Sequence, residues 1–170
     1  MFNTRFTIKL VNFGPIILLY YLSISEIDTN FEKLFEVFSL NLQIIIIYFW
    51  IIKRPNLMGT GHIFFAGLIN DVVMGFPLGI SSLSYLVVCF VGNYVRNKSV
   101  NTTIASDRFT FLIALMFANL LFFSLLNNFS EVAISYAKIG YNTFFTLFLF
   151  PVFWLLFNLY QMSFIGSQDA

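Results

Sequence analysis

Six long apolar runs divide this chain, and they limit its fold more than any other feature. A bilayer core about 30 Å thick needs about 20 helical residues, and about 17 suffice. With 59% hydrophobic and only 10% charged residues, the 170-residue chain carries more apolar surface than one soluble core could bury. We therefore expect one membrane domain, residues 1–170, with six spans: Phe6 to Ile24, Leu34 to Ile52, Gly59 to Gly75, Leu78 to Val95, Phe109 to Leu126 and Tyr141 to Tyr160.

The residue pattern within these runs favours helices. A closed β-barrel can also cross a bilayer, but its strands alternate apolar and polar residues. The runs Ile44 to Ile47 and Phe144 to Phe150 do not alternate. The predicted fold class is an all-α integral membrane protein, a six-helix transmembrane bundle. Pro15 and Pro151 are predicted to kink the first and last spans, and Pro55 to end the second.

The basic residues predict the orientation, because cytoplasmic loops retain Lys and Arg. Seven of the nine Lys and Arg residues fall on one side of the predicted six-span arrangement. This asymmetry predicts that both termini lie in the cytoplasm. The run after Arg5 and Lys9 lacks a small-residue cleavage site, so we expect a retained first span rather than a signal peptide. The inner set is Arg5, Lys9, Lys53, Arg54, Arg96, Lys98 and Arg108; the outer side holds Lys33 and Lys138 with the acidic Glu26, Asp28, Glu32, Glu36 and Glu131.

Several function classes lack the residues that they need. A net charge of +1 provides no basic field for nucleic acid. His62 is the only histidine and has no ligand partner at metal-binding spacing, so no metal site is expected. Ser81, Ser82 and Ser84 have no base positioned to activate them, so no catalytic residue is assigned. Cys89 has no mate and is interpreted as a small packing residue. The acidic outer residues are interpreted as a solvated loop, with a cation or a basic partner segment as the alternative.

One acid, Asp71, lies inside an apolar run, and such residues normally face protein or water. Gly67, Asp71 and Gly75 follow at four-residue spacing and would share one helix face. Because Phe76 and Pro77 leave almost no loop, the third and fourth spans should form an antiparallel hairpin. Residues equidistant from the turn would then meet. The expected hydrogen-bond donors to Asp71 are the hydroxyls of Ser81, Ser82 and Ser84, then Tyr85 and Asn70.

The stretch from Gly67 to Leu86 resembles the signature region of the rod shape-determining protein MreD family, which reads roughly G-x-x-x-D-x-x-x-G-x-P-L-G. The six-span plan and the position of the motif are also similar to that family. The resemblance implies a bacterial inner-membrane, multi-pass protein without enzymatic activity or cofactor. It further implies a fold similar to the substrate-binding subunits of energy-coupling-factor transporters. The implied partners are the shape protein MreC, the MreB filament, and RodA with its class B penicillin-binding transpeptidase.

The five residues that match the family pattern are the predicted site. Gly67 and Gly75 would permit close helix approach, Pro77 and Gly79 would shape the hairpin, and Asp71 would fix a polar contact within the bundle or with a partner. In the purely structural alternative, Asp71 only joins two helices of its own fold, and such bonds are often worth less than about 1 kcal/mol.

The expected function is a non-enzymatic scaffold of the bacterial cell-elongation complex, surrounded by membrane lipid and acting through helix contacts around Asp71. The alternative is a small-molecule, vitamin-like binding subunit of a membrane transporter, since six kinked helices could enclose a ligand. Proton conduction is weaker, because a relay needs several titratable groups and the spans offer one.

Overall fold

The computed structural model describes the backbone of residues 4–25, 32–98, 104–129 and 136–162, and the side chains of residues 13–25, 42–98, 106–129 and 140–162. Within these residues all regular structure is helical and no strand occurs. The helical fold class is therefore confirmed. The six helices are α1 (Thr4–Ile24), α2 (Glu32–Lys53), α3 (Thr60–Met74), α4 (Ile80–Lys98), α5 (Ile104–Phe129) and α6 (Tyr136–Tyr160).

Each helix covers most or all of one predicted span, and the local end signals act as expected. α2 ends at Lys53, two residues before Pro55. α3 is the shortest at 15 residues. Pro15 and Pro151 lie inside α1 and α6, which are each assigned as one helix. The acidic outer patch and part of the charge pattern lie outside the described side chains: Arg5, Lys9, Glu26, Asp28, Glu32, Lys33, Glu36, Glu131 and Lys138.

The second half of α2 is the centre of the bundle. Every residue from Ile44 to Ile51 is buried, including the large side chains of Tyr48 and Trp50. A helix that is apolar on all sides must be surrounded on all sides, and α2 packs against α1, α4 and α6. The isoleucine run of this helix thus forms the core of the bundle.

α3 and α4 form the predicted hairpin and pack directly against each other. α4 also contacts α2 and α5, while α1 contacts α2 and α3. This arrangement brings one end of α3 and the start of α4 against the polar residues of α1 and α2. The hairpin therefore lies at the point where four helices meet.

α5 and α6 carry the strongest membrane signal. Among the described residues, two helices are long and apolar enough to cross a bilayer: Ser106–Phe129 and Gly140–Tyr160. Shorter apolar helices cover Phe13–Ile24, Leu42–Lys53 and Thr60–Met74. Phe111 and Phe150 stack in the core with ring centroids 4.3 Å apart, which joins α5 to α6. Much of the outer surface of both helices is apolar and exposed.

Candidate functional site: the α3–α4 hairpin

Asp71 is completely buried near the end of α3, and its carboxylate faces the start of α4. Oδ2 accepts the backbone N–H of Gly79 at 2.8 Å, and Oδ1 accepts the backbone N–H of Ser81 at 2.9 Å. The first N–H groups of a helix have no partner within it, and they favour a negative charge nearby. Asp71 therefore caps α4 from the neighbouring helix.

The start of α4 has no capping side chain of its own. Gly79 precedes the first helical residue and its carbonyl accepts the N–H of Leu83 at 2.9 Å, so it occupies the N-cap position. Helices usually place Ser, Thr, Asp or Asn there to cap themselves. Gly79 has a φ of 100°, which L-residues rarely adopt, and it has no side-chain oxygen to accept a backbone N–H. Asp71 supplies the oxygen atoms that this position lacks.

Gly75 does not provide the close helix approach that the sequence predicted. α3 ends at Met74, and Gly75 follows it in the left-handed conformation with φ 67° and ψ 23°. In the described part of the chain no heavy atom lies within 4 Å of where its Cβ would be. The N–H groups of Gly75 and Phe76 donate to the carbonyls of Val72 and Asp71, which is a Schellman motif. Gly75 is needed to end the helix and lies outside the helix interface.

Gly67 does lie at a close approach between α3 and α4. A Cβ at this position would be 2.5 Å from the Cα and 2.6 Å from the backbone N of Ser82. Both of these atoms belong to the backbone and cannot rotate away as a side chain could. Only glycine therefore allows α3 to approach α4 this closely.

Asp71 meets backbone donors, which corrects the expectation that hydroxyls would bind it. Ser82 Oγ donates to the carbonyl of Phe64 at 3.0 Å, and Ser84 Oγ donates to that of Ile80 at 3.0 Å. Ser81 Oγ accepts from Nδ2 of Asn70 at 3.0 Å. The side chains of Tyr85 and Asn70 also bind other groups. Serine in an apolar helix can satisfy itself on nearby carbonyls, so its presence in the sequence did not reveal its partner.

Tyr85 and Asn70 belong to a buried polar network, which we define as Ser23, Gln43, Asn70, Ser81 and Tyr85. Gln43 lies at its centre. Its Nε2 donates to Ser23 Oγ at 3.2 Å and to Asn70 Oδ1 at 3.3 Å, and its Oε1 accepts the hydroxyl of Tyr85. The network joins α1, α2, α3 and α4 beside the Asp71 cap.

Two buried polar residues, Gln43 and the acid Asp107, are not among the predicted site residues. A signal for Gln43 existed, because it is the one glutamine before residue 161 and it directly precedes the isoleucine run. Asp107 precedes the predicted fifth span, yet it is only 2% exposed and borders a small gap lined in part by Lys53 and Trp154. Neither carboxylate oxygen of Asp107 accepts a hydrogen bond from the described residues. The two buried aspartates therefore differ: Asp71 accepts two backbone N–H groups, whereas Asp107 lies beside the positive charge of Lys53.

His62, Cys89 and Pro77 make only local contacts among the described residues. His62 is exposed, and its Nδ1 lies 3.3 Å from the hydroxyl of Tyr20. No group of three His, Cys, Asp or Glu side chains that could hold a metal ion occurs in the part of the chain that the structure describes. Cys89 is buried and receives a hydrogen bond from Nδ2 of Asn93 at 3.4 Å. Pro77 lies in the turn, where its carbonyl accepts the N–H of Ile80.

Comparison of the chain with protein-family models, curated proteins and solved structures found no match. The functional interpretation therefore depends on the residues and the geometry described above.

Proposed function

We propose that this protein is a six-span component of the bacterial inner membrane, with both termini in the cytoplasm. The proposal is supported by two helices of spanning length and composition, by three shorter apolar helices, and by the seven-to-two distribution of basic residues. α3 would be about 22 Å long at 1.5 Å per residue, shorter than the hydrocarbon core. A short span can be accommodated by local thinning of the bilayer or by association with other helices.

Within that membrane, the protein acts as a non-enzymatic scaffold of the cell-elongation complex. The proposal depends on one observation: residues of the family-like motif build the α3–α4 hairpin. Gly67, Asp71, Gly75 and Gly79 each have a distinct structural role in one hairpin. A motif that fixes the shape of a hairpin suits a protein that presents a surface to partners. The partners proposed from the resemblance are MreC, MreB, and RodA with its transpeptidase.

The contact surface differs from the one expected from the sequence. Asp71 and Gly67 are buried within the fold, so a partner helix cannot touch them directly. Phe65 and Val72 are seven residues apart and share the outward face of α3, where they are 58% and 67% exposed. We propose that this face contacts the partner, and that Asp71 acts by holding the hairpin in shape.

Co-purification from bacterial membranes tests the assignment. Val72→Trp and Phe65→Ala are expected to reduce capture of the shape-complex partners while the protein stays in the membrane fraction. Val152→Trp is the matched control, because Val152 is an exposed valine on α6, away from this face. Undiminished capture and normal rod shape in both α3 variants would show that the face is not the contact.

The alternative, a vitamin-like binding subunit of a transporter, is favoured by one specific observation. A groove of about 780 Å³ lies between α5 and α6, within the range of about 300 to 1,000 Å³ common for ligand sites. Native mass spectrometry of the purified protein separates the two functions. A stoichiometric water-soluble ligand would favour transport, and its absence together with captured shape partners would favour the scaffold.

A further inference from the structure

The groove between α5 and α6 extends along part of each helix. Along α5 it extends from Leu112 to Asn127, which is about 22 Å at 1.5 Å per residue. Along α6 it covers the first part of the described helix, from Gly140 to Leu147. It therefore runs from the end where the two helices connect to about the middle of α6.

The chemistry of the lining changes along this length. No lining residue in the described part of the chain carries a charge. Ser124 and Asn127 lie at the end near the helix connection, and Asn119 donates to Thr143 at 3.0 Å farther in. The rest of the lining is apolar, apart from Gly140: Leu112, Met116, Leu120, Phe123, Phe144 and Leu147. The groove therefore has polar groups at the end near the helix connection and one hydrogen-bonded polar pair near its middle, and its other side chains are apolar.

We infer that this groove binds one acyl chain of a membrane phospholipid, taken from the leaflet on the side of the α5–α6 connection. The inference rests on the proposed membrane placement. The apolar walls would hold the chain, while Ser124 and Asn127 meet the uncharged ester region. The groove is about 22 Å long on α5 and about 11 Å long on α6, and half of the hydrocarbon core is about 15 Å thick, so the groove is comparable in length to one leaflet.

The dimensions favour an acyl chain over a partner helix. An acyl chain is flexible and far thinner than a helix, so it can lie in the groove between the side chains of Leu120 on α5 and Phe144 on α6. The described lining carries no charge, so a charged headgroup would lie outside that part of the groove, where water can solvate it.

The test uses the full chain purified in mild detergent and titrated with phosphatidylethanolamine, with bound lipid counted by native mass spectrometry. Leu120→Trp and Gly140→Leu should fill the groove. Leu120 is 70% exposed, and no described heavy atom lies within 4 Å of a Cβ at Gly140, so both changes fit without disturbing the core. We expect one retained lipid in the wild type and affinity at least about tenfold lower in both variants.

Phe117→Trp is the matched control, because Phe117 is 58% exposed on the same helix and does not line the groove. It should retain the lipid. Equal retention in all proteins would mean annular lipid only, and would overturn the inference. A dimer that the groove variants abolish would assign the groove to a second copy and would also overturn it.

Partner capture by Leu120→Trp separates this inference from the proposed function. If the variant stays in the membrane, captures its partners and retains lipid like the wild type, only the lipid site is wrong. If the wild-type chain is absent from the membrane fraction, the proposed function is wrong, and the lipid site that rests on it is wrong as well.

Discussion

The carboxylate of Asp71 on α3 accepts the backbone N–H of Ser81 on α4 at 2.9 Å, and this bond joins the end of one helix to the start of the next. The second oxygen accepts from Gly79, so two adjacent helix ends are held by one side chain. Together with the contact of Gly67 on Ser82, the bond fixes the angle and spacing of the hairpin. The scaffold proposal depends on that rigidity.

Replacing Asp71 should weaken the fold in proportion to the acceptors removed. Asp71→Leu leaves two buried N–H groups without an acceptor, and we expect a loss of about 2 to 6 kcal/mol, because each unsatisfied buried donor costs about 1 to 3 kcal/mol. Asp71→Asn retains one acceptor oxygen and should lose less. Thermal unfolding in detergent measures both variants.

Asp107→Asn is the matched control for Asp71→Asn. Its carboxylate is also buried, but it caps no helix and instead lies near Lys53 and Trp154, so neutralising it weakens the attraction to Lys53 and leaves the backbone N–H groups of the hairpin satisfied. We expect Asp107→Asn to lose less stability than Asp71→Asn. Equal losses in the two variants would contradict the capping role of Asp71.

Gly67→Ala should separate α3 from α4. The new methyl group would overlap the backbone of Ser82, and overpacking of this kind costs about 1 to 3 kcal/mol. Gly61→Ala is the control on the same helix, because no described heavy atom lies within 4 Å of a Cβ there. It should stabilise the protein by up to about 1 kcal/mol through helix propensity. The two alanine variants are therefore predicted to shift the melting temperature in opposite directions, and a shared direction would rule out the close contact.

Gly75→Asn should be tolerated better than Gly75→Val. Asparagine enters the left-handed region more readily than other residues with side chains, whereas a β-branched residue is strongly disfavoured there. A packing role would instead predict that both changes are harmful, since each adds a side chain. Melting temperatures of the two variants distinguish a helix-ending role from a packing role.

Tyr85→Phe and Gln43→Leu should be coupled. Either change alone leaves a buried partner without its hydrogen bond, while the double variant removes both groups. Intramembrane hydrogen bonds average about 0.6 kcal/mol in double-mutant cycles and reach about 1.7 kcal/mol, so we expect a coupling energy in that range. Tyr94→Phe, an exposed tyrosine on the same helix, should have no effect. Strictly additive losses would mean that the pair does not interact.

The sequence alone determined the helices and the hairpin. Long apolar runs, Pro55 and the short Phe76–Pro77 connection are local signals, and such signals located the six helices and the α3–α4 hairpin, although α5 and α6 begin five residues earlier than predicted. They also located Asp71 within an apolar helix. The five residues of the motif all lie in the hairpin, although the role expected of Gly75 was wrong.

Only the tertiary structure decided which groups meet. The partners of Asp71 and Gln43 depend on the rotation of each helix about its axis and on shifts of an ångström or so along it. Runs that are apolar on every side, such as Ile44 to Ile51, do not encode that rotation. A side chain can therefore be assigned to a helix from the chain alone, but its hydrogen bonds are fixed only when the four helices pack together.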